Sequence, residues 1–318
     1  MKIRTNFLYF FILNSLLFNL SGVEPIKLNQ SLYMISSTQN PFSSPVQYLY
    51  VHGLGGRGGH GVYWSSCASN DINHYILNEP LVFFDFPDAI GKFNPLKTDL
   101  AQEIDVSYLA AQYQGLSDIA SRANNSPKKF VLAGVSRGAA TLINFASDKR
   151  YNLKDVAMLI LESPFDIALN VMKFQAERLF QSWNPLINNL GSKWSMTKLY
   201  PKHDPNGISP IKSIGLVPKH IPVVLIHSRK DAVISVNASR KLYIELKKSG
   251  HNHAYYFETE DGVHAKVLWG SQGKTYQYLI HALYKKYGLP HNDDFAVKGL
   301  ELLTSCQPTV EYITSLIK

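Results

Sequence analysis

The chain has 318 residues, of which 45% are hydrophobic and 18% are charged. This composition is typical of a globular protein, and the absence of internal repeats and low-complexity segments excludes a repeat array or a low-complexity chain. The formal net charge is +8, but the basic residues are scattered and no nucleic-acid motif accompanies them. We therefore expect no nucleic-acid partner.

Residues 1–22 have the features of a secretory signal peptide. The chain begins with a short positively charged stretch, continues with an almost wholly apolar segment at 7–20, and then has two small residues. The apolar segment is short for a membrane span and Asn14 interrupts it, so we expect no stable span after its removal. An uncleaved membrane anchor is the alternative, because no clean Ala-x-Ala cleavage site follows. Residues 23–318 then form the mature domain of a secreted or periplasmic protein.

Beyond this segment, apolar runs with the length of buried strands alternate with stretches in which apolar residues recur at helical spacing. This alternation predicts an α/β fold, a mostly parallel central sheet with right-handed crossovers and flanking helices. Residues 165–219 break the rhythm with irregular sequence, and the tail at 288–318 predicts one more helix. The predicted strands are 31–36, 46–51, 81–86, 130–133, 155–161, 222–228 and 254–258, and the predicted helices are 99–123, 139–146, 167–180, 236–248 and 267–287.

The pentapeptide Gly134-Val135-Ser136-Arg137-Gly138 fits the pattern Gly-x-Ser-x-Gly between a predicted strand and a predicted helix. In this context the pattern indicates a nucleophile elbow, a sharp turn that lifts a serine hydroxyl out of the strand end. The positions two before and two after the serine pass close to it, which favours glycine. The N-terminus of the next helix directs N–H groups at the site and favours developing negative charge. Ser136 is therefore the predicted nucleophile.

With this motif the chain resembles the α/β-hydrolase superfamily, in its serine esterase, lipase and peptidase branch. The resemblance implies an α/β-hydrolase fold with a cap insertion at about 165–219. It also implies an oxyanion loop in the glycine run after His52, with the amides of Leu54 and Arg137 as the oxyanion donors. Large residues of the insertion either line an acyl or aromatic pocket or pack the insertion onto the body; they are Met172, Phe174, Phe180, Trp183, Trp194 and Met196.

Two further residues complete a triad in the order that this superfamily uses, namely Ser136, Asp231 and His264. Asp231 and His264 each follow a predicted strand, at the edge of the sheet where α/β folds place their sites. Glu162 also ends a strand and is the alternative acid. Asp231 is favoured because an aspartate followed by Ala-Val-Ile-Ser and a helix resembles the usual acid turn.

These residues predict a secreted serine hydrolase that cleaves a carboxylic ester or a related acyl bond through an acyl-enzyme. The expected partner is a small ester or acyl substrate, and this chemistry requires neither a metal nor an organic cofactor. Peptidase and acyltransferase activities stay open because the same site serves them. The oligomeric state and a disulfide between Cys67 and Cys306 also stay open.

Two alternatives come from other classes of protein. Gly53, Gly55 and Gly58 match a dinucleotide-binding fingerprint after a strand, and Asp85 ends the next strand. The sequence after this fingerprint begins a helix poorly, however, which counts against a Rossmann oxidoreductase. A non-catalytic hydrolase-like binding protein is the other alternative, but such proteins usually lack a triad member and none is missing from this sequence.

Overall fold

The computed structural model describes residues 25–36, 42–56, 79–90, 92–123, 128–179 and 185–317. Within these ranges the strands form one sheet in the order β1-β2-β4-β3-β5-β6-β7-β8. The strands are β1 Ile26–Lys27, β2 Leu32–Ile35, β3 Val46–Val51, β4 Leu81–Phe84, β5 Lys129–Val135, β6 Val156–Glu162, β7 Val223–Ser228 and β8 Ala254–Thr259.

The sheet is mostly parallel, which confirms the prediction. The strands from β4 through β3, β5, β6 and β7 to β8 run parallel, and β1 and β2 add an antiparallel margin beside β4. Parallel strands present their carboxyl ends at one edge, where the loops of an α/β sheet gather. The loops after β3, β5, β6, β7 and β8 therefore all leave the sheet on the same side.

The side chains of each strand point alternately to the two faces of the sheet. Both faces are apolar, and helices cover both of them, which forms two cores. In β3, Leu49 and Val51 face the core under α1, α2 and α6, whereas Tyr48 and Tyr50 face the core under α7. The helices among the described residues are α1 Glu103–Ala123, α2 Arg137–Ser147, α3 Ala168–Leu179, α4 Pro185–Leu199, α5 Pro210–Ser213, α6 Asn237–Lys248, α7 Gly273–Lys286, α8 Asp293–Cys306 and α9 Val310–Ser315.

The start of α1 differs from the predicted start at residue 99. Leu100 and Ala101 have φ angles of 57° and 72°, which a helix cannot accommodate. The Asp99 carboxylate accepts backbone hydrogen bonds from Gln102 and Ile104 and so caps the helix that begins behind it. The predicted helix 267–287 is likewise split into a short 3₁₀ turn at Val267–Trp269 and helix α7.

The segment between β6 and β7, called the insertion below, contains the helices α3, α4 and α5. The irregular composition after residue 180 did not predict α4, whose asparagine, glycine and serine residues are weak helix formers. Ser192, Met196 and Tyr200 recur every four residues and are buried. Packing of this face onto the body therefore stabilises a helix that local propensity does not favour.

No helix in the described ranges is long and apolar enough to cross a membrane. Residues 1–22 lie outside those ranges, so the signal peptide stays a prediction.

Candidate active site

Ser136 lies between β5 and α2 in a backbone conformation that few residues other than glycine adopt, with φ 55° and ψ −120°. A Cβ atom at Gly138 would lie 2.1 Å from the carbonyl oxygen of Val51, and one at Gly134 would lie 2.9 Å from the amide nitrogen of Ala139. No larger residue fits at either position without movement of the backbone. The two glycines thus allow the helix to begin directly behind the serine, which is the geometry of a nucleophile elbow.

Asp231 and His264 meet in the loops after β7 and β8. The Nδ1 atom of His264 lies 2.7 Å from Oδ2 of Asp231. The other oxygen, Oδ1, accepts hydrogen bonds from the amides of Val233 at 2.8 Å and Ile234 at 2.9 Å. The carboxylate is therefore fixed in orientation, and a neutral His264 carries its hydrogen on Nδ1 and leaves Nε2 free to accept a proton.

The pKa values of this pair are shifted so that the ion pair is favoured. Burial would raise the pKa of Asp231, but the charge of His264 and hydrogen bonds from His227 and His264 outweigh it and hold that pKa well below its usual value. Burial would lower the pKa of His264, but the charge and hydrogen bond of Asp231, with the charge of Glu162, raise it above 6.5. The site thus stabilises an imidazolium on His264.

Glu162, the alternative acid, ends β6 and is fully buried. Its Oε1 atom accepts a hydrogen bond from the amide of Val267 at 3.2 Å, in the segment that follows His264. The structure thus joins the His264 ring to Asp231, while Glu162 holds the backbone behind the histidine and acts on the ring through its charge.

Ser136 leaves the same edge of the sheet as this pair. Its Oγ atom faces the chain at Gly53, where an added Cβ would lie 3.7 Å from it. Among the residues that the structure describes, no hydrogen bond joins the Ser136 hydroxyl to the His264 ring. In enzymes generally, the hydrogen bond between a nucleophile and its base is often long without substrate and shortens in the Michaelis complex.

The described part of the predicted oxyanion loop, residues 52–56, begins beside Ser136, and His52 binds the peptide group between Gly53 and Leu54. Residues 57–61 of that loop lie outside the described ranges. Nδ1 of His52 lies 2.7 Å from the carbonyl oxygen of Gly53, and its Nε2 accepts a hydrogen bond from the amide of Phe86 at 2.9 Å. The described chain has no cis peptide bond. In a trans peptide, a carbonyl oxygen held by His52 directs the N–H of Leu54 to the opposite side.

Arg137 contributes its amide rather than its side chain to this edge. As the first residue of α2, its N–H has no acceptor within the helix. Its guanidinium is fully buried, 2.8 Å from Asp88 and 3.5 Å from Asp105, and 4.1 Å above the ring of Phe86. Burial raises the pKa of Asp105 to about 6, although the Arg137 charge lowers it. The side chain therefore anchors the turn and is not exposed to a substrate.

A second histidine at the site, His227, was missed by the sequence analysis. It lies on β7 and is fully buried, with Nε2 at 3.1 Å from the carbonyl oxygen of Ile234 and 3.4 Å from Oδ2 of Asp231. Its Nδ1 contacts the Ser239 hydroxyl at 2.7 Å. A carbonyl oxygen only accepts hydrogen bonds, so Nε2 carries a hydrogen. The available signal was a polar residue inside an apolar strand, four positions before the predicted acid.

The insertion contributes apolar residues next to the site. Met172 and Met196 belong to a cluster with Leu54 and Ile234, between the insertion and the site loops. Trp194 is 67% exposed and lies on the face of α4 opposite the buried one, so it does not pack the insertion onto the body. Phe180 and Trp183 lie outside the described residues.

Among the described residues, no group of three or more His, Cys, Asp or Glu side chains could hold a metal ion. Gly58 and Cys67 lie outside the described ranges, so the structure tests neither the dinucleotide fingerprint nor the disulfide.

The sequence matches no protein-family profile and no curated protein. Solved structures do match. An esterase of Pyrococcus furiosus is 16% identical, with a TM-score of 0.55 over 83% of this chain and 92% of its own. An acylaminoacyl peptidase of Pyrococcus horikoshii is 15% identical, with a TM-score of 0.56 over 92% of this chain but only 43% of its own. VinJ is 11% identical, with a TM-score of 0.52 over 84% of this chain and 99% of its own. The chain has the α/β-hydrolase fold, as the resemblance implied.

Proposed function

We propose that this protein is a serine hydrolase that cleaves a carboxylic ester or a related acyl bond through an acyl-enzyme. The observation that carries the proposal is the Asp231–His264 hydrogen bond of 2.7 Å at the sheet edge from which the strained Ser136 also projects. Nucleophile, base and base-orienting acid are the three roles that covalent acyl transfer requires. Esterase and peptidase structures among those of similar fold support the same class of chemistry.

In the proposed mechanism, Nε2 of His264 takes the hydroxyl proton of Ser136 while Oγ bonds to the acyl carbon. Asp231 holds the imidazole tautomer and stabilises the imidazolium. The amides of Leu54 and Arg137 bind the oxyanion. The imidazolium then gives its proton to the departing alcohol as the ester C–O bond breaks. In the second half-reaction, water attacks the acyl carbon while His264 takes a proton from it. The bond between the acyl carbon and Oγ of Ser136 then breaks, and the imidazolium returns a proton to Oγ.

We favour a small ester as the substrate. The half-buried side chains of Leu54 and Met172, which pack on the buried Met196, offer acyl groups an apolar surface beside the site. A peptidase is the second candidate, because the acylaminoacyl peptidase has a domain of this fold. The match covers 43% of that enzyme. A chain-length series of p-nitrophenyl esters against the matching acyl-amino acid anilides separates the two activities.

The compartment is part of the proposal. We infer that residues 1–22 direct export and are then removed, which gives a secreted or periplasmic enzyme. Intact-mass analysis of the native protein should place its first residue near 21–25. A native chain that begins at Met1 in the cytosol would contradict this inference, and a membrane-bound chain that keeps residues 7–20 would favour the anchor.

Labelling with a fluorophosphonate tests the chemistry, with Ser136→Ala as the comparison. The wild type should be labelled at Ser136 and should hydrolyse p-nitrophenyl acetate. Ser136→Ala should not be labelled, and its kcat should be lower by about 10⁴-fold or more, because the nucleophile is lost. A folded Ser136→Ala protein that keeps the wild-type turnover would refute the proposal. Circular dichroism of both proteins is the folding control.

A further inference from the structure

Gln175 of α3, in the insertion, donates hydrogen bonds to the turn that carries Asp231, residues 231–234. The side-chain nitrogen Nε2 of Gln175 donates to the carbonyl oxygen of Ala232 at 2.8 Å and to that of Val233 at 2.7 Å. An amide nitrogen has two hydrogens, so both bonds form at once. Gln175 is therefore fully engaged as a donor at this turn.

The two carbonyl groups that Gln175 binds belong to the two peptide groups that hold Asp231. The peptide group of Ala232 ends in the N–H of Val233, and that of Val233 ends in the N–H of Ile234. These N–H groups donate to Oδ1 of Asp231 at 2.8 Å and 2.9 Å. Because C=O and N–H point in opposite directions in a planar trans peptide, fixing the two oxygens also fixes the two hydrogens.

A continuous chain of hydrogen bonds thus connects the insertion to the base. It runs from the Gln175 amide through two peptide groups to Oδ1 of Asp231, and from Oδ2 to Nδ1 of His264 at 2.7 Å. Hydrogen bonds in series also polarise one another, which strengthens the donors that face the carboxylate. On the other side, His227 binds the carbonyl oxygen of Ile234 from within the sheet.

We propose that Gln175 is a positioning residue for the triad, which makes the placement of Asp231 depend on the position of the insertion. The proposal rests on the proposed function of the site. In it, movement of α3 away from the body removes the two bonds to the turn. Asp231 is then held less firmly, and His264 becomes a weaker base.

Gln175→Met tests this role, because methionine has a similar length and no donor. We expect kcat for p-nitrophenyl acetate to fall on the order of tenfold to a hundredfold, since small misplacements of a catalytic group have effects of this size. KM should stay within about twofold, as the change is not made in a substrate contact. Lys173→Met, which places the same side chain on the same helix, is the matched control and should retain the wild-type values.

The pH profile distinguishes positioning from a merely structural role. In Gln175→Met the acidic limb of kcat/KM should move to lower pH, because a less firmly held Asp231 stabilises the imidazolium of His264 less. Glu162, the other charge that acts on His264, is unchanged in this variant. A limb and a kcat at the wild-type values would overturn the proposal. So would a raised KM with an unmoved limb, which would assign Gln175 to substrate binding.

A second variant keeps the proposal testable if the Gln175→Met protein does not fold. Gln175→Glu has nearly the same shape, but its carboxylate cannot donate and would face two carbonyl oxygens. It should show a comparable loss in kcat, and a wild-type kcat would overturn the role of Gln175. Its pH limb is not compared, because the added negative charge by itself raises the pKa of His264. The two levels of inference fail differently. A wild-type protein that fluorophosphonate does not label refutes the function, whereas a labelled wild type with unaffected Gln175 variants refutes only the positioning role.

Discussion

Replacing Asp231 by asparagine should nearly abolish activity, and the surroundings of its carboxylate explain why. Oδ1 accepts two backbone N–H groups, so the oxygen of an asparagine must occupy that position. Its NH₂ group then faces Nδ1 of His264, which has to accept the hydrogen bond. The imidazole hydrogen moves to Nε2, and a ring in this tautomer cannot take the proton of Ser136.

The size of the loss in kcat follows from the free-energy cost of the other orientation of the asparagine side chain. An asparagine turned the other way would restore the tautomer but would leave two N–H donors, one buried and one part-buried, without acceptors. Each such donor costs about 1–3 kcal/mol, or about 2–6 kcal/mol together. A tenfold change in rate corresponds to about 1.4 kcal/mol, so the upper part of this range matches a loss on the order of 10⁴ in kcat.

Glu162→Gln is the matched comparison, because it removes a charge at the alternative acid and keeps the shape. The amide oxygen of the substituted side chain can still accept the hydrogen bond from Val267, so the loop behind His264 should keep its place. We expect a loss in kcat of about tenfold or less, from the altered field alone. The acidic limb of kcat/KM should also move to lower pH, since the Glu162 charge raises the pKa of His264.

The assay is kcat and kcat/KM for both variants on one activated ester across pH, with circular dichroism to establish that each protein is folded. A folded Asp231→Asn enzyme that retains most of its activity beside an inactive Glu162→Gln enzyme would refute the reasoning. The triad would then be Ser136, Glu162 and His264.

Three further predictions concern pH and packing. In the wild type, the acidic limb of kcat/KM should have its midpoint above pH 6.5, because the pKa of His264 is raised and only the neutral ring accepts a proton. A pH–rate profile with a midpoint below pH 6.5 would contradict this expectation. Burial would raise the pKa of Glu258, but hydrogen bonds from Arg240, Tyr256 and Arg229 lower it from 4.5 to about 2. Its charge should therefore contribute up to about 3 kcal/mol to the free energy of unfolding above pH 4.5, and this contribution is lost as the pH falls towards 2. In urea unfolding, Glu258→Gln should show a weaker pH dependence over that range than the wild type. An unchanged pH dependence would count against the lowered pKa of Glu258. Gly138→Ala should destabilise the fold by about 2 kcal/mol or more, because its Cβ would lie 2.1 Å from a backbone oxygen. Gly191→Ala on α4, where a Cβ would have no atom within 4 Å, should stabilise the fold by about 0.5–1 kcal/mol. Thermal unfolding of both variants would disprove the packing argument if both changes had the same sign.

The sequence by itself determined the sheet and the strand ends that carry the candidate residues. The mostly apolar runs 46–51 and 223–228 are strands in which every residue is buried, because helices cover both faces of the sheet and neither face requires polar side chains. The Gly-x-Ser-x-Gly pattern predicted the turn at Ser136 because steric contact excludes side chains at its two glycines. Such signals are local, and they are therefore readable without knowledge of the fold.

Only the tertiary structure decided which distant groups meet. Helix α4 has weak local propensity and forms where Met196 and Tyr200 pack on the body. The choice between Asp231 and Glu162 as partner of His264 depended on loop positions, because Glu162 ends β6 and Asp231 follows the neighbouring parallel strand β7. His227 and Gln175 have no motif. Their contacts with the turn at 231–234 arise because carbonyl oxygens that are shielded from water need a donor, and the fold brings these two side chains within reach.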